Sequence, residues 1–211
     1  MDATRVRWLL VPAAACAALA GFYLAHELDR RAPALASGTW LPQPKAVGDF
    51  HLTDNLGQPY TRADLAGAPT LVYFGFTRCP DVCPATLIKL AQIRRQAAIA
   101  DLRVLFVTVD PERDTPPVLG LYVHAFDPAF RGVTGAPAEI RRVAGDFGVA
   151  LNRVGLPGGD YTVDHSAVVF LLNAAARIVA IFTPPFDAGT FAADLRRAAP
   201  YLRARHPWQL G

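Results

Sequence analysis

Two cysteines separated by three residues, Cys79-Pro80-Asp81-Val82-Cys83, follow directly on the apolar run Thr70 to Phe76. A thiol pair at this spacing either binds a soft metal ion or cycles between dithiol and disulfide. The run before it is β-branched and aromatic without polar alternation, which predicts a strand buried on both faces of a sheet. After Cys83, Leu87, Leu90, Ala91 and residues 94–98 recur at helical spacing, and Pro84 is tolerated in a first turn, where its missing N–H costs nothing. The pair therefore sits at a helix start, where unpaired amides and the positive end of the helix dipole favour thiolate over thiol.

The elements that position this pair lie in one domain of ordinary size, carried in a chain of 211 residues that is 52% hydrophobic. Residues 8–25, from Trp8 to Ala25, carry no charge and are long enough to cross a bilayer. Arg5 and Arg7 precede them, which predicts a cytoplasmic tail over 1–7, a transmembrane helix over 8–25 and a domain outside the cytoplasm, in the periplasm of a bacterial inner membrane. A cleaved signal peptide and a lipid acceptor at Cys16 are alternatives that leave the domain in the same compartment. Residues 26–46, with Pro33, Pro42 and Pro44 and no sustained periodicity, read as a linker, followed by the domain over 47–204 and a tail over 205–211. The net charge is +3, with both signs interleaved, so no nucleic-acid footprint is expected.

Within the domain, Phe50 to Leu52 and Gln58 to Tyr60 flank a turn and predict an opening hairpin. Arg103 to Val109 predicts a second buried strand, helices are expected near Pro117 to Phe126 and Ala136 to Phe147, and Ala167 to Leu172 with Arg177 to Phe182 form a strand pair before a closing helix over Ala188 to Arg203. The fold class is α/β. Strand, helix, strand, helix, two strands and a helix is a thioredoxin-like order, here with an N-terminal hairpin extension.

The strings YFGFTRCPDVCP (Tyr73 to Pro84), FVTVDPERDTP (Phe106 to Pro116) and GDYTVDHSA (Gly159 to Ala167) closely resemble the three signatures of the Sco/SenC family. The resemblance runs from about Asp49 to Tyr201. Thiols in an oxidising compartment need a reductant, here a thioredoxin-like partner, before metal can bind. The resemblance itself implies a membrane-tethered, thioredoxin-like metallochaperone that helps assemble the dinuclear copper centre in subunit II of cytochrome c oxidase. It also implies copper ligands at Cys79, Cys83 and His165, taking Cu(I) and also Cu(II).

The residues fit that implication. The single methionine is Met1, so no thioether cluster is available, and no second Cys or His pair is spaced to complete a structural zinc site. Of the five histidines, His165 stands at the entrance of the Ala167 strand, which in a thioredoxin-like sheet runs antiparallel beside the Thr70 strand and faces the cysteine edge. His26, His51, His124 and His206 lie elsewhere. Asp110, ending the Arg103 strand, and Asp164, beside His165, are candidates to support the ligands, although each also suits a turn. Asp81 suits a helix cap or a docking charge.

The alternative function is a thiol-disulfide oxidoreductase reducing the cysteines of that oxidase subunit or of another extracytoplasmic protein. Against it stand a cysteine spacing longer than the two residues of redox thioredoxins and Ser166-Ala167 where those proteins carry a proline. Peroxidase chemistry lacks its threonine, since Phe76 and Pro80 stand three residues before the cysteines. A structural disulfide here closes too small a loop to stabilise much.

Overall fold

A computed structural model describes residues 16–23 and 33–203. The chain divides into two units, Met1–Pro33 and Ala34–Gly211. In the first, residues 16–23 are helical (α1). The rest of the expected membrane segment lies outside the described residues, and among the described ones no helix is long and apolar enough to cross a membrane.

The second unit is built on an eight-stranded sheet in the order β1 (Gly38–Ala46), β10 (Arg177–Phe182), β9 (Val169–Leu172), β4 (Thr70–Gly75), β5 (Arg103–Thr108), β6 (Arg131–Thr134), β2 (His51–Asp54) and β3 (Pro59–Thr61). Its centre is β4, all six residues buried, paired in parallel with β5 and antiparallel with β9. β4 and β5 are the strands whose continuous apolar runs predict burial. β6 extends the parallel part, then β2 and β3 add the opening hairpin. A short helix, α2 (Arg62–Leu65), follows that hairpin.

Helices cover both faces, and the pleat shows which goes where. Tyr73 and Phe74 are successive strand residues and point to opposite sides. On the Tyr73 side lie α3 (Val82–Ala97), whose Cys83 meets the Tyr73 hydroxyl, and α4 (Pro116–His124), whose Tyr122 ring lies 5.6 Å from Phe106. α6 (Ala188–Leu202) packs beside α3. On the Phe74 side, α5 (Pro137–Phe147) inserts Phe147 at 5.2 Å from Phe74 and 5.1 Å from Phe170. The result is the sheet between two helical layers expected of a thioredoxin-like domain.

Two expectations change. Residues 38–46, read as the end of the linker, form β1 (Gly38–Ala46), which pairs antiparallel with β10 (Arg177–Phe182). The prolines that suggested a tether, Pro42 and Pro44, fall in the register break between Trp40 and Lys45 on an edge strand, where a missing N–H disrupts no ladder. The fully buried Asp194 of α6 anchors the approach to β1 by accepting from the Ala36 and Ser37 amides at 2.8 and 2.7 Å.

The second change concerns the segment before β9. It holds a separate two-stranded sheet, β7 (Leu151–Gly155) and β8 (Tyr161–His165), joined through a 3₁₀ turn at Pro157–Gly159. Residues Ser166 to Val168 then lead into β9, which starts two residues later than expected.

Candidate metal and thiol site

Cys79 and Cys83 bracket the step from β4 into α3. Cys83 is the second residue of the helix, and its amide, one of the donors a helix start leaves unpaired, points to Cys79 Sγ at 3.3 Å. Asp81 occupies the N-cap position without making a side-chain cap bond, so the Cys79 sulfur does what a cap oxygen would. Both cysteines are free thiols.

The two sulfurs differ in environment. Cys79 is half-buried, whereas Cys83 is 0% exposed, set behind β4 with the Tyr73 hydroxyl donating to its Sγ at 3.6 Å. Burial pushes the Cys83 thiol up to about 12, opposed by a hydrogen bond from the Phe76 backbone and by the Tyr73 hydroxyl. At Cys83, then, desolvation overrides the thiolate preference expected of a helix start.

Gly75 makes this packing possible. A Cβ at that position would stand 2.7 Å from Phe106 Cε2 and 3.0 Å from Cys83 Sγ, closer than real contacts allow.

His165 ends β8 and reaches the pair. Its Nε2 lies 3.6 Å from Cys83 Sγ, and its Nδ1 lies 3.3 Å from the Ser166 carbonyl. A carbonyl only accepts, so the ring proton belongs on Nδ1 and the Nε2 lone pair faces the sulfur. Burial lowers the His165 pKa, against the Ser166 contact and the Asp164 charge, which keeps the ring neutral and able to bind a metal. The rings of Tyr73 and Phe76 stand edge-on to the imidazole at 6.2 and 6.1 Å and limit its tilt.

The Cys83-to-His165 separation has a simple chemical meaning. Metal–thiolate and metal–imidazole bonds of about 2.3 and 2.0 Å, opened to a trigonal angle, hold sulfur and nitrogen about 3.7 Å apart. The observed 3.6 Å is close to that value and is also the length of a thiol–imidazole hydrogen bond. Among the described residues, no three Cys, His, Asp or Glu side chains are already closed around one point.

Asp110 and Asp164 occupy different settings. Asp164 is exposed on β8, and the imidazole nitrogen expected to meet it faces the Ser166 carbonyl instead. Asp110 is buried at the end of β5, ion-paired with Arg113 and accepting from the Tyr161 hydroxyl at 2.7 Å; it touches the His165 hairpin rather than the cysteines. His51 is exposed in the opening hairpin and His124 lies 3.4 Å from Asn55, both away from the thiols; His26 and His206 lie outside the described residues.

Asp114 is a site residue that the sequence reading passes over. It is 0% exposed and accepts from the Thr77 amide at 3.0 Å, the Thr77 hydroxyl at 2.6 Å and the Thr108 hydroxyl at 2.6 Å. Burial raises its pKa even against these three donors. Because Thr77 stands two residues before Cys79, this carboxyl fixes the start of the thiol loop.

Known proteins share this fold. The family model described as SCO1/SenC matches residues 40–200. The mitochondrial SCO2 homolog of Danio rerio is 44% identical over 131 residues, 60% of this chain and 47% of that protein. The chain spans about half to two thirds of the length of the curated relatives it matches first. Among solved structures, Arabidopsis thaliana ScoI with copper bound is 35% identical with a TM-score of 0.70, covering 74% of this chain and 100% of that one. Yeast Sco1 with copper bound is 32% identical with a TM-score of 0.69, covering 79% and 93%. Copper is thus held by solved homologues of the same fold. With the family model matching residues 40–200, most of the chain, the chain belongs to the SCO1/SenC family.

Proposed function

We propose that this chain is a metallochaperone that carries copper on Cys79, Cys83 and His165 and delivers it to the dinuclear copper centre of cytochrome c oxidase subunit II. The observation that carries this reading is the position of the His165 imidazole, its Nε2 3.6 Å from the sulfur of Cys83. A low-coordinate copper ion needs a third ligand that costs no proton, and an imidazole beside the sulfurs supplies one.

Loading begins with both thiols reduced, a step assigned to a thioredoxin-like partner. Cu(I) then binds two sulfurs and one nitrogen, and the protons of the thiols pass to solvent. Cys79, half-buried, stays open to an incoming thiolate of the target, so copper leaves by exchange of one ligand at a time. Residues 8–25 tether the domain to the membrane and raise its effective concentration at the oxidase.

The unequal exposure of the two sulfurs also favours a second reading, thiol-disulfide oxidoreductase, in which Cys79 attacks a substrate disulfide and Cys83 resolves the mixed disulfide. Anaerobic titration of the reduced full-length chain with Cu(I) against a competing chelator separates the two. One-to-one binding that is abolished in Cys79→Ser and Cys83→Ser and weakened in His165→Ala supports the chaperone. Weak binding indifferent to His165, with efficient reduction of a disulfide substrate, overturns it in favour of the oxidoreductase.

A further inference from the structure

His165 is carried by a two-stranded ribbon outside the main sheet, and such a ribbon holds little position by itself. The one buried residue of its strands is Val163. What fixes the ribbon is a polar clamp centred on Tyr161, the first residue of β8. The Tyr161 ring lies between two guanidinium groups, with Arg113 Cζ 3.6 Å and Arg153 Cζ 3.4 Å from its centroid. Its hydroxyl donates to Asp110 Oδ1 at 2.7 Å and lies 3.3 Å from Glu112 Oε2. Arg113 is ion-paired with Asp110, pairs with Asp160 at 2.9 Å and donates to the Tyr161 carbonyl at 3.1 Å. Arg153, on β7, pairs with Glu112 at 3.0 Å.

Both strands of the ribbon are therefore tied to residues 110–113 at the end of β5. One residue further on, Asp114 of the same loop grips Thr77 and with it the cysteine loop. A single loop thus spans the two halves of the ligand set.

We propose that Tyr161 is a positioning residue for copper, setting the approach of His165 to Cys83 through its hydroxyl on Asp110 and its ring between Arg113 and Arg153. This rests on the reading of His165 as a copper ligand. Tyr161→Phe keeps the ring in its sandwich and removes the bond to the buried carboxylate. Arg153→Gln, at a half-exposed position, removes one guanidinium without touching the core.

The test is a thermodynamic cycle on the full-length chain, reading Cu(I) affinity by chelator competition and the Cu(II) absorption and EPR spectra. Tyr161→Phe is expected to weaken Cu(I) about tenfold, the low end for residues that orient metal ligands. Its Cu(II) spectrum should shift toward that of His165→Ala. Arg153→Gln should cost about two- to fivefold, the value of one cation–π contact. In a His165→Ala background neither change should weaken binding further. Equal losses with and without His165, or unchanged affinity and spectrum in Tyr161→Phe while His165→Ala alters both, overturn the positioning role alone. If His165→Ala itself leaves affinity and spectrum unchanged, the ligand assignment fails and the positioning role falls with it.

Discussion

The buried sulfur of Cys83 makes the stability of the reduced, metal-free protein depend on alkaline pH in a way that one substitution isolates. Its thiol is raised from 9.0 to about 12, chiefly by burial. The native state therefore holds this proton more tightly than the unfolded chain does. The associated stability is fully present below about pH 9 and is lost as pH rises toward 12. Three units at about 1.36 kcal/mol each make a total near 4 kcal/mol, of which about 2 kcal/mol is gone by about pH 10.5. Urea unfolding under reducing conditions at about pH 7.5 and pH 10.5, compared between the native sequence and Cys83→Ala, reads that difference directly. Burial also raises the phenols of Tyr60, Tyr73, Tyr122 and Tyr161 in both proteins, and because Cys83 adds to the shifts of Tyr73 and Tyr122, its removal also takes away its coupling to those two rings. The quantity of interest is thus the difference between the two pH dependences. An equal fall in stability for both proteins would refute the desolvated-thiol argument, whatever the cost of the alanine cavity at neutral pH.

Two further outcomes follow from the packing around the thiols. Gly75→Ala places a methyl group 2.7 Å from Phe106 Cε2 and 3.0 Å from Cys83 Sγ, so it should cost about 1–3 kcal/mol in denaturant unfolding and weaken Cu(I) binding by displacing the sulfur. Unchanged stability and affinity would show that Phe106 and Cys83 move aside freely. Asp114→Ala strips the acceptor from the Thr77 amide and from two hydroxyls in a dry site, and at about 1–3 kcal/mol for each stranded donor it should be the more damaging change in urea unfolding. Asp114→Asn, which keeps one acceptor oxygen, should recover part of that loss.

What the sequence made legible follows from where each element is buried. β4, β5 and β10 lie inside the sheet and read as apolar runs of β-branched and aromatic residues, so their positions were predictable within a residue or so. The cysteines were visible because few residue types share their chemistry, and His165 because the antiparallel β9 had to begin at the same edge. β1 was read as a tether because Pro42 and Pro44 are turn residues in a local window. Only the partner strand β10 and the Asp194 anchor reveal that segment as part of the domain. The ribbon β7–β8 escaped for a related reason: it is mostly exposed, and nothing in its pattern demands burial. Asp114 was hidden by its neighbours, since Asp before Thr115-Pro116 reads as the approach to a helix. Tyr161 was hidden by distance, because its partners Asp110 and Arg113 lie about fifty residues away in sequence.

The contrast between the two sulfurs gives the proposed copper transfer a direction. Cys83 is fully buried behind a fully buried strand, and burial makes surrendering its proton costly. Once its thiolate is bound to copper, replacing the metal by a proton restores the burial-favoured neutral thiol. Cys79 lies at the surface end of the same turn, with the helix amide of Cys83 directed at its sulfur. His165 comes from a ribbon whose place depends on a clamp outside the core. A ligand arriving from solvent therefore meets Cys79 and the ribbon before it meets Cys83. The order of ligand loss that follows is Cys79 or His165 first and Cys83 last. The return of a proton to Cys83 then works against recapture of the ion.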